Sequence, residues 1–144
     1  MIKAFKDEYE WLSNFWMCDI EYEGEIYPSV EHAYQCQKTT SMELRKKIKD
    51  CPFPGQAKKF GKRIQIRPQW GFMKIDIMEE LVRKKFEIPD LREKLLTTGE
   101  GELQEGNYWG DDFWGVDLKT GKGSNVLGQI LMKIRSELRR NQNP

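Results

Sequence analysis

Between Tyr27 and Lys38 the chain gathers its only histidine, a carboxylate and an amine into one short run, Tyr27-Pro-Ser-Val-Glu-His-Ala-Tyr-Gln-Cys-Gln-Lys38. A carboxylate can move a proton or balance developing positive charge, and an amine that has lost its proton can attack an electrophilic carbon. In a helix from Val30 to about Thr39, Glu31, Gln35 and Lys38 fall at i, i+4 and i+7 with Tyr34 beside them, so these groups share one stripe; His32 and Cys36 lie on the neighbouring stripe. The Cα atoms of Glu31 and Lys38 stand about 10 Å apart along the axis, and a lysine leaning toward the helix N-terminus shortens that gap, so one small ligand can touch both. The same two charges also suit the helix dipole without any chemistry, an acid near the start and a base near the end being ordinary.

The elements that must position this stripe are legible around it. Cys18 to Tyr27, with Glu23-Gly24 at its centre, alternates as a hairpin that delivers the chain to Ser29, a helix N-cap. Upstream, Ile2 to Phe5 alternates as a short strand, and Trp11-Leu-Ser-Asn-Phe15 reads as an aromatic-rich turn in which Ser13 and Asn14 either cap backbone groups or face a ligand. Downstream, Ser41 caps a helix over Met42 to Asp50, Cys51-Pro-Phe-Pro-Gly55 breaks it, and Gln56 to Gly61 forms another. The run Ala57-Lys-Lys-Phe-Gly-Lys-Arg63, followed by Arg67, is the densest positive stretch; it is either a solvated face or a phosphate contact.

Pro68 to Phe86 carries Met73, Ile77 and Leu81 at helical spacing, and Pro89 opens a helix that buries Leu91, Leu95 and Leu96 and ends at Gly99. Gly101 to Val116 crowds Glu105, Asn107, Tyr108, Trp109, Asp111, Asp112, Phe113 and Trp114 among four glycines. Such a stretch is either a tight turn with aromatic plugs or a site for a flat heterocycle and a sugar. Ser124 caps a last helix whose Val126, Leu127, Ile130, Leu131, Ile134 and Leu138 form an apolar stripe, with Asn125 in its first turn.

Composition bounds the function class. A chain of 144 residues is expected to form a single domain over 1–144, long enough to bury a core. With 24 Lys plus Arg against 23 Asp plus Glu there is no net field to recruit a polyanion, so generic nucleic-acid coating is disfavoured while a local phosphate contact is not. Three cysteines without a CxxC pair and a single histidine offer no zinc ligand set, so no metal is expected. The lack of a long apolar run, with thiols that suit a reducing compartment, points to a cytoplasmic protein without a membrane partner.

Four motifs together carry a family resemblance: Leu12-Ser-Asn-Phe15, Tyr27-Pro-Ser-Val-Glu-His-Ala-Tyr-Gln-x-x-Lys38, Glu105-Gly-Asn-x-Trp-Gly-Asp-x-Phe-Trp-Gly-Val116 and Gly123-x-Asn-x-Leu-Gly-x-x-Leu-Met-x-Ile-Arg135. In order and spacing they resemble the YbiA-like (NADAR) family across nearly the whole chain. The resemblance implies a compact fold, mainly α with a small β portion. It also implies N-glycosidase activity on ribosylated aminopyrimidine phosphate intermediates of riboflavin synthesis, the wider family being linked to NAD and ADP-ribose chemistry.

Cleaving an N-glycosidic bond requires stabilised positive charge at the anomeric carbon, a proton for the leaving base, and a nucleophile or activated water. Glu31 is the candidate for the charge or the water. Lys38 is the candidate for capture of a ring-opened ribosylamine as a Schiff base, a route that calls for no cofactor. The expected binding set is Ser13, Asn14, His32, Tyr34, Gln35, Asn107, Trp109, Asp111, Trp114 and Asn125, with Arg63 or Lys62 for a 5′-phosphate of a small nucleotide or riboside phosphate. Two alternatives stay open: removal of ADP-ribose from guanine bases of nucleic acid, and a noncatalytic module that binds an NAD or ADP-ribose derivative.

Overall fold

The computed structural model describes residues 1–142. Strand β1 (Met17–Tyr22) turns at Glu23 and Gly24, with φ of 49° and 83°, into the antiparallel strand β2 (Glu25–Ser29). Two consecutive left-handed residues twist a two-residue turn in the sense the strands need, which is why Glu-Gly closes this hairpin. Ile20 and Tyr27 pair across it and are buried. The chain then enters α1 (Val30–Cys36), where the Ser29 hydroxyl accepts the His32 N–H at 3.1 Å as the expected N-cap. This helix stops at Cys36 with Gln37 as its C-cap, short of Thr39.

Helix α2 (Met42–Lys49) starts on the Ser41 cap, whose oxygen accepts the Leu44 N–H. Helix α3 (Pro54–Gly61) begins two residues earlier than the sequence suggests: Pro54 fits the first turn, where a missing N–H costs nothing, and Gln56 Oε1 accepts the Phe53 N–H. Helix α4 (Trp70–Lys85) starts after Pro68, because Gln69 sits at φ 65° outside the helical region. These elements and the hairpin form one compact unit, Asn14–Lys85, in which α1 packs on α2, α3, α4 and both strands. Its interior holds Val30, Ala33, Cys36, Ile48, Ala57, Met78 and Leu81.

The other unit joins Met1–Ser13 to the chain from Phe86 onward. A 3-10 helix (Asp7–Leu12) presents Trp11 edge-on to Phe86, ring centroids 6.4 Å apart. Where alternation suggested a strand at Ile2 to Phe5 there is one parallel bridge, Ile2 to Leu103. Helix α5 (Pro89–Thr97) buries Leu91 and Leu95 and ends before Gly99 at φ 72°. Two-residue strands β3 (Gly106–Asn107) and β4 (Val116–Asp117) pair in parallel, and α6 (Val126–Gln142) follows. Ser124 does not cap α6; Asn125, at φ 50°, precedes it, asparagine being among the few residues that tolerate that conformation. Arg135 is buried on α6 and donates to Thr98 Oγ1 and the Gly101 carbonyl, tying the helix to the end of α5. Helix dominates and the strands are short, so the fold is mainly α with a small β portion.

Candidate functional site

On α1 the Glu31 and Gln35 part of the expected stripe forms, while Lys38 falls beyond the helix end. Glu31 is 7% exposed, its Oε1 accepting Gln35 Nε2 at 2.9 Å, and its own N–H donates to the Asn14 carbonyl at 3.1 Å. The loop before β1 thus satisfies one of the unpaired N–H groups in the first turn of α1. Asn14 turns its amide to Met78 Sδ at 3.4 Å. Gln35 is seated by Gly61 of α3: a Cβ at that position would overlap the Gln35 amide, so only glycine lets the two helices approach this closely. Gln35 Oε1 is buried without a partner, so its amide is oriented by Glu31 alone.

Lys38 lies just past the end of α1 with its Nζ 5.6 Å from the Tyr34 ring centroid, a cation–π distance, and Tyr34 is backed by Trp70 at 5.3 Å. Among the described residues Lys38 Nζ makes no hydrogen bond or ion pair. Burial lowers its pKa from the usual lysine value; Glu31 opposes that shift, while Lys62, Lys58 and Lys74 reinforce it. Lys58 comes from α3, Lys62 from the C-cap of α3 and Lys74 from α4, and Lys58 also stands 6.0 Å over the Phe15 ring. The basic run of the sequence contains Lys58 and Lys62, but spacing does not bring Lys74, Trp70 or Phe15 to Lys38, because it says nothing about which helices converge. Arg63 lies exposed at the end of α3 and is absent from the groups that act on Lys38.

His32 is on the same helix with a different task. Its Nε2 reaches the Cys51 carbonyl at 2.7 Å and must carry the hydrogen, which makes Nδ1 the acceptor of the Ser29 hydroxyl at 2.7 Å. The ring is fully buried and neutral, its pKa held below the usual value by burial. Both nitrogens are committed to joining α1 to the Cys51 loop, and neither is left for a ligand.

In the other unit the loop from Glu105 to Asn125 is held together by the side chains expected to bind substrate. Asn107 is buried, its amide donating to Glu105 Oε2 and the Asp111 carbonyl and its Oδ1 accepting the Asp111 N–H. Asp111 Oδ1 accepts the N–H groups of Phe113 and Trp114. Asn125 accepts the Glu105 N–H and donates to the Leu103 carbonyl, both at 2.9 Å. Gly115 is required here because a Cβ would overlap Glu105.

Asn107, Asp111 and Asn125 therefore belong to the loop's own framework. Trp114 is half-buried with Phe113 edge-on to it at 4.9 Å. What this unit offers outward is Trp109, 65% exposed, and Tyr108, 62% exposed, beside a small cavity of about 100 Å³ that Ser13, Lys6, Phe5 and Glu105 help to line. Among the described residues no three His, Cys, Asp or Glu side chains gather as a metal site, and no helix is long and apolar enough to cross a membrane.

The chain matches known proteins along most of its length. The NADAR domain family is matched over residues 2–139. The chain is 35% identical to "N-glycosidase YbiA" of Shigella boydii, over 92% of this chain and 83% of that one, and 36% identical to "N-glycosidase Npun_R5314" of Nostoc punctiforme, over 91% and 86%. It is 37% identical to the "Riboflavin biosynthesis protein VVA0006" of Vibrio vulnificus, of whose length it spans 36%. The NMR structure of Escherichia coli YbiA superposes with a TM-score of 0.85 at 32% identity, covering 99% of this chain and 89% of that one. The chain belongs to the NADAR domain family.

Proposed function

We propose that the protein is an N-glycosidase that hydrolyses the bond between a base and ribose in a ribosylated aminopyrimidine phosphate, such as an intermediate of riboflavin biosynthesis. The observation that carries this reading is Lys38: an amine just past the end of α1 and within charge reach of Glu31, without hydrogen-bond or ion-pair partner among the described residues, whose proton burial and three lysines make easier to lose. The names of the Shigella, Nostoc and Vibrio relatives support the reaction class.

A ribosylamine opens to an imine between C1′ and the base nitrogen. Neutral Lys38 Nζ adds to C1′, the base nitrogen takes a proton and leaves with the electrons of its bond, and a Lys38 imine remains. Glu31 supplies the proton to the leaving amine and afterwards draws one from the water that adds to C1′; loss of the lysine amine gives the free aldehyde, which closes to ribose phosphate. Lys62, with Lys58 and Lys74, meets the 5′-phosphate through charge. Tyr34 and Trp70 shape the pocket for the base.

Incubation with a panel of N-riboside 5′-phosphates and ADP-ribosylated guanine nucleic acid, reading released base by mass spectrometry, tests the assignment. Release from the aminopyrimidine ribosides is expected. Release only from ADP-ribosylated nucleic acid would move the substrate to that class, and binding without release would make the protein a nucleotide-binding module.

A further inference from the structure

Beside the face that holds Lys38, the Asn14–Lys85 unit has a hollow of about 510 Å³, formed where Thr39, Thr40 and Ser41 face Gln65 and Arg67. Concave sites for small organic ligands run from roughly 300 to 1,000 Å³, so this one has room for more than a single inorganic anion. The Arg67 N–H donates to the Lys38 carbonyl at 2.8 Å, so the hollow begins one residue past the lysine assigned to chemistry. Its lining contains one cation, Arg67, and no carboxylate.

Among the described residues the Arg67 guanidinium has no hydrogen-bond or ion-pair partner, although the side chain is only partly exposed. The hydroxyl oxygens of Thr39 and Ser41 already accept the N–H groups of Ser41 and Leu44, at 3.0 and 3.2 Å, which leaves each hydroxyl hydrogen to be donated. Glu43, the acid in the first turn of α2, is exposed and paired with Lys47. An unpaired guanidinium beside hydroxyl donors, with no acid among them, is the donor set for phosphoryl oxygens, which guanidinium meets through two parallel N–H bonds.

We propose that this hollow binds a phosphoryl group distinct from the one met by the lysines beside Lys38. The group is either a second phosphoryl carried by the substrate or a free inorganic anion; only the first source rests on the N-glycosidase reading. Inorganic pyrophosphate titrated into the full chain is expected to shift the backbone amides of Thr40, Ser41, Gln65 and Arg67. Arg67→Ala should weaken that binding roughly tenfold or more, and Arg67→Lys should restore part of it. Both variants retain the main-chain bond to Lys38, so folding is preserved.

Shifts confined to Lys58, Lys62 and Lys74, or unchanged affinity in folded Arg67→Ala, would overturn the proposal. The titration needs no turnover: a protein that binds pyrophosphate at these residues yet cleaves no N-riboside keeps the hollow and loses the N-glycosidase reading. In a protein that does cleave one, competition of pyrophosphate with the riboside that is lost in Arg67→Ala assigns the hollow to the substrate, and noncompetitive inhibition that is lost in Arg67→Ala assigns it to a free anion.

Discussion

Helix α1 and the loop from Glu105 to Asn125 draw on the same kinds of residue, acids, amides and aromatics, and use them in opposite ways. In the loop, Asn107, Asp111 and Asn125 bond chiefly to main-chain groups, the usual way for a backbone without helix or sheet partners to satisfy its N–H and C=O groups. On α1 the Glu31 side chain bonds another side chain, Gln35, and just past the helix end Lys38 Nζ has an aromatic face as its neighbour.

The sharpest break in that comparison is Lys38→Ala. It should reduce base release to background in a folded protein, and borohydride added during wild-type turnover should fix the sugar mass on a peptide containing Lys38. An active Lys38→Ala protein, or turnover without a trapped adduct, would transfer the chemistry to Glu31. Glu31→Gln keeps shape but loses the charge and the proton relay, and a loss of about 10²–10⁴-fold in kcat is expected.

In the loop the expected effect is on stability. Asn107→Ala strands the main-chain groups of Asp111 and should lower unfolding free energy by about 1–3 kcal/mol in denaturant titration, with the KM of the folded fraction little changed. A large KM increase at unchanged stability would make Asn107 a ligand contact and erase the contrast.

Two smaller effects sharpen the picture within the Asn14–Lys85 unit. Lys62→Met removes one of the charges that lower the Lys38 pKa, so that pKa should rise and the alkaline-dependent limb of the rate profile should move to higher pH. His32 belongs with the structural group despite its place on α1. Its folded pKa lies below the ordinary 6.5, so the unfolded chain binds more protons between the two values. Its contribution to stability is complete above about 6.5 and is lost as pH falls through the lowered folded value. Thermal unfolding measured across that window should show the loss in wild type and much less of it in His32→Asn.

Features that depend on near neighbours are legible in the chain alone. Ser29 and Ser41 cap the helices that follow them, Glu23-Gly24 turns the hairpin, and Glu31 and Gln35 share a stripe, because hydrogen bonds and periodicity over three or four residues decide each of these. Tertiary structure decided everything that joins distant segments. Lys58, Lys62 and Lys74 reach Lys38 only because α3 and α4 both pack on α1, and His32 is removed from the candidate binding set by a carbonyl nineteen residues away. Likewise Asn125 looks like a residue in the first turn of a helix until Glu105 and Leu103, twenty and twenty-two residues earlier, take both ends of its amide. Local spacing fixes where a side chain leaves its own element; what it meets there is set by the packing of other elements, which no window of the chain contains.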